Sequence, residues 1–280
     1  MRQNNLMQKN KGFTVVEILI VVPIVILVIG VFITAIVNMT GEVMASRGAN
    51  TLIYNVHDAL NRIEQDVKLS SGYLATNSFT LTAPQGTDDS TNAPFINATS
   101  QSSSLILSTV ATTNNPLSSS RNIVYKNAPY ACSNAQVDQN EPVILNLVYF
   151  LKNGALWRRV IMPANYYSAG YGCDSITKAS TTIWQQATCD PSIPVGTFCK
   201  ASDTKLVDGI TNATGFKISY YVNPDSTTAD EIANNYNKTA TDRQTSLLAT
   251  TTVGITINAT KTIAGREISQ SGTIRATLPK

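Results

Sequence analysis

Histidine is almost missing from this chain: His57 is the only one. A serine or cysteine hydrolase needs an imidazole oriented beside its nucleophile, so the sequence offers a single candidate base. His57 lies in LIYNVHDALNRIEQDV, which has helical periodicity. Adjacent residues diverge by about 100° on a helix, so His57 and Asp58 do not form an acid–base pair. There is no phosphate-cradling glycine loop. Charge is also scarce, at 14% of residues against roughly 25% in an average soluble domain. Setting aside Arg2, Lys9 and Lys11 leaves as many cations as anions, so the body has no electrostatic footprint for nucleic acid. The basic cluster Trp157-Arg158-Arg159 reads as a strand with a packed tryptophan and exposed arginines on opposite sides.

Cysteine is absent from the first 131 residues; the four cysteines are Cys132, Cys173, Cys189 and Cys199. No pair has C-x-x-C spacing, which argues against zinc. Two disulfides, in any of three pairings, suit a body outside the cytoplasm, with free thiols and metal ligation as the other readings. Asp138, Glu141, Asp174, Asp190, Asp203 and Asp208 read as solvated loop acids. Asp225, Asp230 and Glu231 lack the alternation and glycine of an EF-hand loop. No catalytic residue, cofactor or metal is expected, and the chain reads as a non-enzyme.

What is abundant is apolar sequence at the N-terminal end. Over residues 13–37 Glu17 is the only residue able to carry a charge. The run exceeds the about 20 residues a helix needs to cross the hydrocarbon core, and it is longer than the apolar stretch of a cleavable secretory signal. Arg2, Lys9 and Lys11 keep the N-terminus cytoplasmic and place the remainder outside. Glu17 is the anomaly, because a carboxylate in a membrane helix costs on the order of 2.5–3.5 kcal/mol and tends to mark function. Snorkelling toward the headgroups lowers that cost. A cut between Gly12 and Phe13 would place a new amino group one helical turn from Glu17, or within reach of a neighbouring subunit's carboxylate.

A basic leader, Gly12, Phe13, and Glu17 five residues after the cut together resemble the processing motif of type IV prepilins and type II secretion pseudopilins. The resemblance implies that a membrane prepilin peptidase cuts after Gly12 and N-methylates Phe13. It also implies that Glu17 supports methylation and docks the subunit by neutralising a neighbour's amino terminus. Pro23 departs from the pattern, since many major pilins place a helix-bending proline deeper.

Beyond Asn38 the chain stays helical but becomes amphipathic. Leu52, Ile53, Val56, Leu60, Ile63 and Val67 form one stripe of a 3.6-residue helix, with Asp58, Asn61, Arg62, Glu64, Gln65 and Asp66 on a solvated face. Ser70, Ser71 and Gly72 supply a stop, with Gly72 as a left-handed cap. Gly30, Gly41 and Gly48 read as points of local bending. Further on, loops surround a strand at 105–110. Asn153-Gly154 joins strands 143–151 and 156–162 in a hairpin, 216–222 reads as a strand, and Ala264-Gly265 turns a terminal hairpin. The fold class is α+β, one long helix packed on an antiparallel sheet. LVYFLKNGALWRRVI, LVDGITNATGFKISYYV and VGITINATKTIAGREISQSGTIRATL stand in the order seen in the J-type minor pseudopilins and related minor pilins, leaving 163–205 and 223–249 uncovered.

The expected organisation is a leader at 1–12, a transmembrane and assembly helix at 13–38, an amphipathic spine at 39–72 and an extracytoplasmic head at 73–280. By the resemblance, the chain is a minor pilin or pseudopilin of a type IV pilus or related filament. Its partners would be the prepilin peptidase, other major and minor pilins or pseudopilins, and the inner-membrane assembly platform. It would sit in the cytoplasmic membrane before assembly and in a cell-surface filament after it. A secretion or competence pseudopilin, and a membrane-anchored adhesin or hydrolase, are the competing readings.

Overall fold

The computed structural model describes residues 14–78, 86–88, 93–96, 104–124, 142–162, 183–189, 199–210 and 213–279. One α-helix, α1 (Val15–Lys68), dominates the N-terminal part. At about 1.5 Å per residue it is about 80 Å long. Thr14 caps it. The Glu17 N–H donates to Thr14 Oγ1 at 3.3 Å, and the Thr14 N–H returns a bond to Glu17 Oε2 at 2.9 Å, a reciprocal capping box. The helix assignment continues through Pro23.

The expected stop is corrected in detail. Helix α1 ends at Leu69 in a right-handed conformation, and Ser70–Tyr73 is strand β1. Gly72 therefore extends a strand, pairing with Ser108, and has no left-handed φ. The apolar stripe does what its periodicity predicts: Leu52, Val56, Leu60, Ile63 and Val67 are all buried.

The antiparallel sheets confirm an α+β fold, but there are two main sheets where one was expected. Strands β2 (Thr87–Asp88) and β3 (Ala93–Pro94) form a short pair. Strands β4 (Leu105–Val110), β5 (Ile144–Lys152), β6 (Ala155–Ile161) and β9 (Thr204–Asp208) join β1 in the order β1-β4-β5-β6-β9. Between β6 and β9, β7 (Ala187–Thr188) and β8 (Cys199–Lys200) make a small parallel ladder. Strands β10 (Phe216–Tyr221), β11 (Thr252–Ile263) and β12 (Arg266–Thr277) form a separate three-stranded sheet. Both anticipated hairpins form. Asn153 and Gly154 turn β5 into β6 with φ of 50° and 72°, and Ala264 and Gly265 turn β11 into β12 with φ of 51° and 76°. These paired positive φ values suit the right-handed twist of the flanking strands.

The two sheets meet where β9 ends. The Thr260 N–H donates to the Gly209 carbonyl at 2.7 Å, and a Cβ on Gly209 would lie 2.4 Å from the Thr260 oxygen. The second half of α1 packs chiefly on β12, and also on β11 and β9. Glycine allows this closeness at two places: a Cβ on Gly48 would sit 1.9 Å from Ile263 Cδ1, and one on Gly272 would sit 2.6 Å from Leu60 Cδ1. Gly48 thus provides clearance for the hairpin. The polar stretch 223–249 contains a second helix, α2 (Ala240–Ala249), capped by Thr239. Gln244 of α2 accepts from the Ala75 N–H at 2.8 Å and donates to the Tyr73 carbonyl at 3.3 Å, holding α2 at the end of β1.

Candidate functional site

The chemistry of this chain concentrates on α1, which meets two environments. From Val15 to Val43 its large apolar side chains are exposed on every side, and no residue of this stretch is buried in the protein. By length and composition this part of α1 is able to cross a membrane. Such all-round apolarity is the signature of a helix whose solvent is lipid or other helices. Glu17 stands in the first turn of that segment, and its Oε2 accepts from both the backbone N–H and, at 3.0 Å, the hydroxyl of Thr14. The carboxylate is therefore held at the helix N-terminus, where the macrodipole favours a negative charge. Thr14-x-x-Glu17 is a capping-box pattern legible in the sequence, and it accounts locally for an acid that otherwise looks misplaced. Gly12 and Phe13, the expected cleavage and methylation positions, lie outside the described residues.

At the other end α1 is locked to the head by a buried charge. Asp66, expected on the solvated face, is only 6% exposed. Arg158 Nε donates to Asp66 Oδ2 at 2.6 Å, and the Tyr149 hydroxyl donates to the same oxygen. Arg62 Nε stands 3.9 Å away. Burial pushes the Tyr149 hydroxyl well above its ordinary pKa, and Asp66 adds to this. Burial opposes the charge on Arg158, yet Tyr149 and Asp66 outweigh it and its pKa is raised.

Arg159, on the opposite face of β6, is also buried. Its Nε bonds both Asp203 carboxylate oxygens at 2.9 and 3.0 Å, and its Nη1 donates to the Thr87 carbonyl at 3.0 Å. The guanidinium lies 5.2 Å from the Phe95 ring centroid and 5.1 Å from that of Phe150. Asp203 also accepts from the Thr188 hydroxyl at 2.6 Å. The two arginines do face opposite sides, as strand geometry requires. Neither is an exposed neighbour of the tryptophan, however, because Arg158 neutralises buried Asp66 and Arg159 neutralises half-buried Asp203. Asp203 is correspondingly no solvated loop acid.

Next to Thr188, Cys189 and Cys199 form a disulfide across the β7–β8 ladder. Cys132 and Cys173 lie outside the described residues, as do Asp138, Glu141, Asp174 and Asp190. His57 and Asp58 are both exposed on α1. Asp208 is paired with Lys205 at 3.1 Å. Asp230 ties its own loop to α2: its Oδ1 accepts from the N–H groups of Ile232 at 3.0 Å and Ala233 at 2.7 Å and from the hydroxyl of Ser246 on α2 at 2.6 Å. The sequence-based reading missed both aspartate–arginine pairs, since their partners are distant in the chain. No family model, curated protein or solved structure matches this chain.

Proposed function

We propose that the chain is a minor pilin or pseudopilin, a membrane-inserted subunit that is processed and then assembles through α1 into, or at the tip of, a type IV pilus or related filament. The observation carrying this reading is the division of α1. One continuous helix presents an unpartnered apolar half that begins at the Thr14–Glu17 cap, and a second half clamped to a β-rich head by Asp66 and Arg158. A simple anchor needs only the first half. A rigid continuation into the head transmits the position of the anchor to the body, which suits a subunit that packs by its helix.

Prepilin peptidase would cut between Gly12 and Phe13 and methylate Phe13. The new amino group would then lie one residue from Thr14 and beside the helix end that holds Glu17. In a lone subunit, Glu17 would have the two hydrogen bonds from Thr14 and its own chain's amino group beside it. In a filament a neighbour's amino terminus would add a full opposite charge, so docking is favoured where that charge is present.

Intact-mass and N-terminal analysis of the chain co-expressed with an active prepilin peptidase tests the reading. The expected product lacks residues 1–12 and carries one methyl group on Phe13. Retention of residues 1–12 under those conditions would refute it.

A further inference from the structure

The outer limit of the membrane span fixes the height of everything that follows it on α1. The apolar run ends at Val37. Gly41 is four residues further, about 6 Å along the axis. The headgroup layer on each side of a hydrocarbon core is of similar thickness, about 5–7 Å. At this height the tip of the β11–β12 hairpin touches the helix: a Cβ on Gly41 would meet that of Ala264 at 4.0 Å, and Ile263 fills the space over Gly48. Between tip and helix lies an open groove of about 430 Å³, lined by Ile36, Val37, Asn38, Met44, Ala264 and Arg266. On the helix side the apolar Ile36, Val37 and Met44 continue the span beside the polar Asn38 and Thr40, and the hairpin side is cationic.

Arg266 is 56% exposed and stands 3.5 Å from Glu42, itself 65% exposed. Such a pair is weak and exchanges partners readily. Lys261 is exposed on the same tip, and Glu42 and Glu267 are the neighbouring acids. We propose that this hairpin tip is a second membrane contact, in which the groove receives a phospholipid of the outer leaflet and Arg266 holds its phosphate. The lipid is favoured over a protein partner by the height of the tip and by the continuity of the groove with the apolar span. The contact would set the tilt of the head over the membrane before assembly. It rests on the membrane-anchor part of the function proposed above.

The test uses the full chain in vesicles of phosphatidylethanolamine and phosphatidylglycerol. A photoreactive benzoylphenylalanine is placed in turn at Ala264, at Ile26 within the span, and at exposed Leu117. Leu117 follows β4, whose Thr109 pairs with Ser70 at the far end of α1. Intact mass should show lipid adducts at positions 26 and 264 and none at 117. Arg266→Glu should lower the adduct at 264 roughly fivefold and leave that at 26 unchanged. An adduct at 26 with none at 264, or an adduct joining 264 to a second chain, overturns the hairpin contact while the anchor stands. No adduct at either position overturns the anchor and this proposal together. An Arg266→Glu chain with undiminished labelling at 264 removes Arg266 from the site.

Discussion

Asp66 is the residue on which the joint between helix and head depends. Its carboxylate is shared by Arg158 and Tyr149 in a buried position. Removing one member of such a pair leaves the other charged and unpaired, at a cost of about 3–5 kcal/mol. Asp66→Ala should therefore lower the urea midpoint of the head strongly. Replacing all three members, as Asp66→Leu with Arg158→Met and Tyr149→Phe, should recover most of the loss, because an apolar cluster has no desolvation cost and leaves no buried hydroxyl without an acceptor. A triple replacement as unstable as Asp66→Ala would show that the charge itself is needed. Tyr149 adds a pH dependence whose sign follows from its raised pKa. The folded state keeps a proton that the unfolded chain releases near the ordinary tyrosine value of about 10. This contribution is complete below that pH and is lost as pH rises toward the folded value. Tyr149→Phe should flatten part of the fall in urea midpoint between about pH 9 and 11, with buried Tyr73, also raised by burial, supplying what remains.

At the scale of elements, the weak point is the junction of the two sheets at Gly209. Its φ is +86°, and a Cβ there would lie 2.4 Å from the Thr260 carbonyl oxygen, a backbone atom that cannot swing aside. Gly154 also has a positive φ, of +72°, but its nearest neighbour is 4.0 Å away. Gly154→Ala should cost only the left-handed penalty, about 1–2 kcal/mol. Gly209→Ala adds a backbone clash to the same penalty, for a total of about 2–5 kcal/mol, and should expose the Thr260 amide to hydrogen exchange. Equal costs at the two glycines would contradict the close approach. The contrast also shows which features are legible in a sequence. Asn153-Gly154 and Ala264-Gly265 announce hairpins because their conformational demand is local. The division into two sheets is not announced, since it depends on which strands meet across long stretches of chain. Helix α2 is hidden for another reason: ATDRQTSLLA has a weak apolar face, and its place comes from Gln244 bonding to β1. The candidate site divides in the same way. The membrane run and Thr14-x-x-Glu17 are local patterns, whereas Asp66 borders the buried stripe and finds Arg158 92 residues away.

At the scale of the whole molecule, exposed apolar surface gives way to a buried stripe inside one helix. From Val15 to Val43 the large apolar side chains are exposed, while among the described residues the buried core of the head takes its first residue from α1 at Leu52. The tip of the hairpin meets α1 at Gly41 and Glu42, near the outer end of this apolar stretch, and at Gly48 beyond it, while Gly272 of β12 packs further along on Leu60. A chain beginning at Ser46 therefore discards the exposed apolar half yet keeps Gly48, the buried stripe from Leu52 to Val67, and the Asp66 pair. It loses intrahelical bonds at the new end, where fraying is confined to the first turn because Leu52 and Val56 are held by the head. It also loses the Glu42–Arg266 contact, whose exposed position makes it worth at most about 1 kcal/mol. The shortened chain should remain in the supernatant without detergent, whereas the full chain sediments with membranes. Its thermal midpoint should lie within a few degrees of that of the head in the detergent-solubilised full chain, since a loss of this size shifts Tm by about 2–4 °C in a domain of this length. An unfolded or insoluble chain from Ser46 would mean that the apolar half supports the head as well as carrying it. The same cut with Asp66→Ala should unfold at a clearly lower temperature, because the joint that remains is then broken from within.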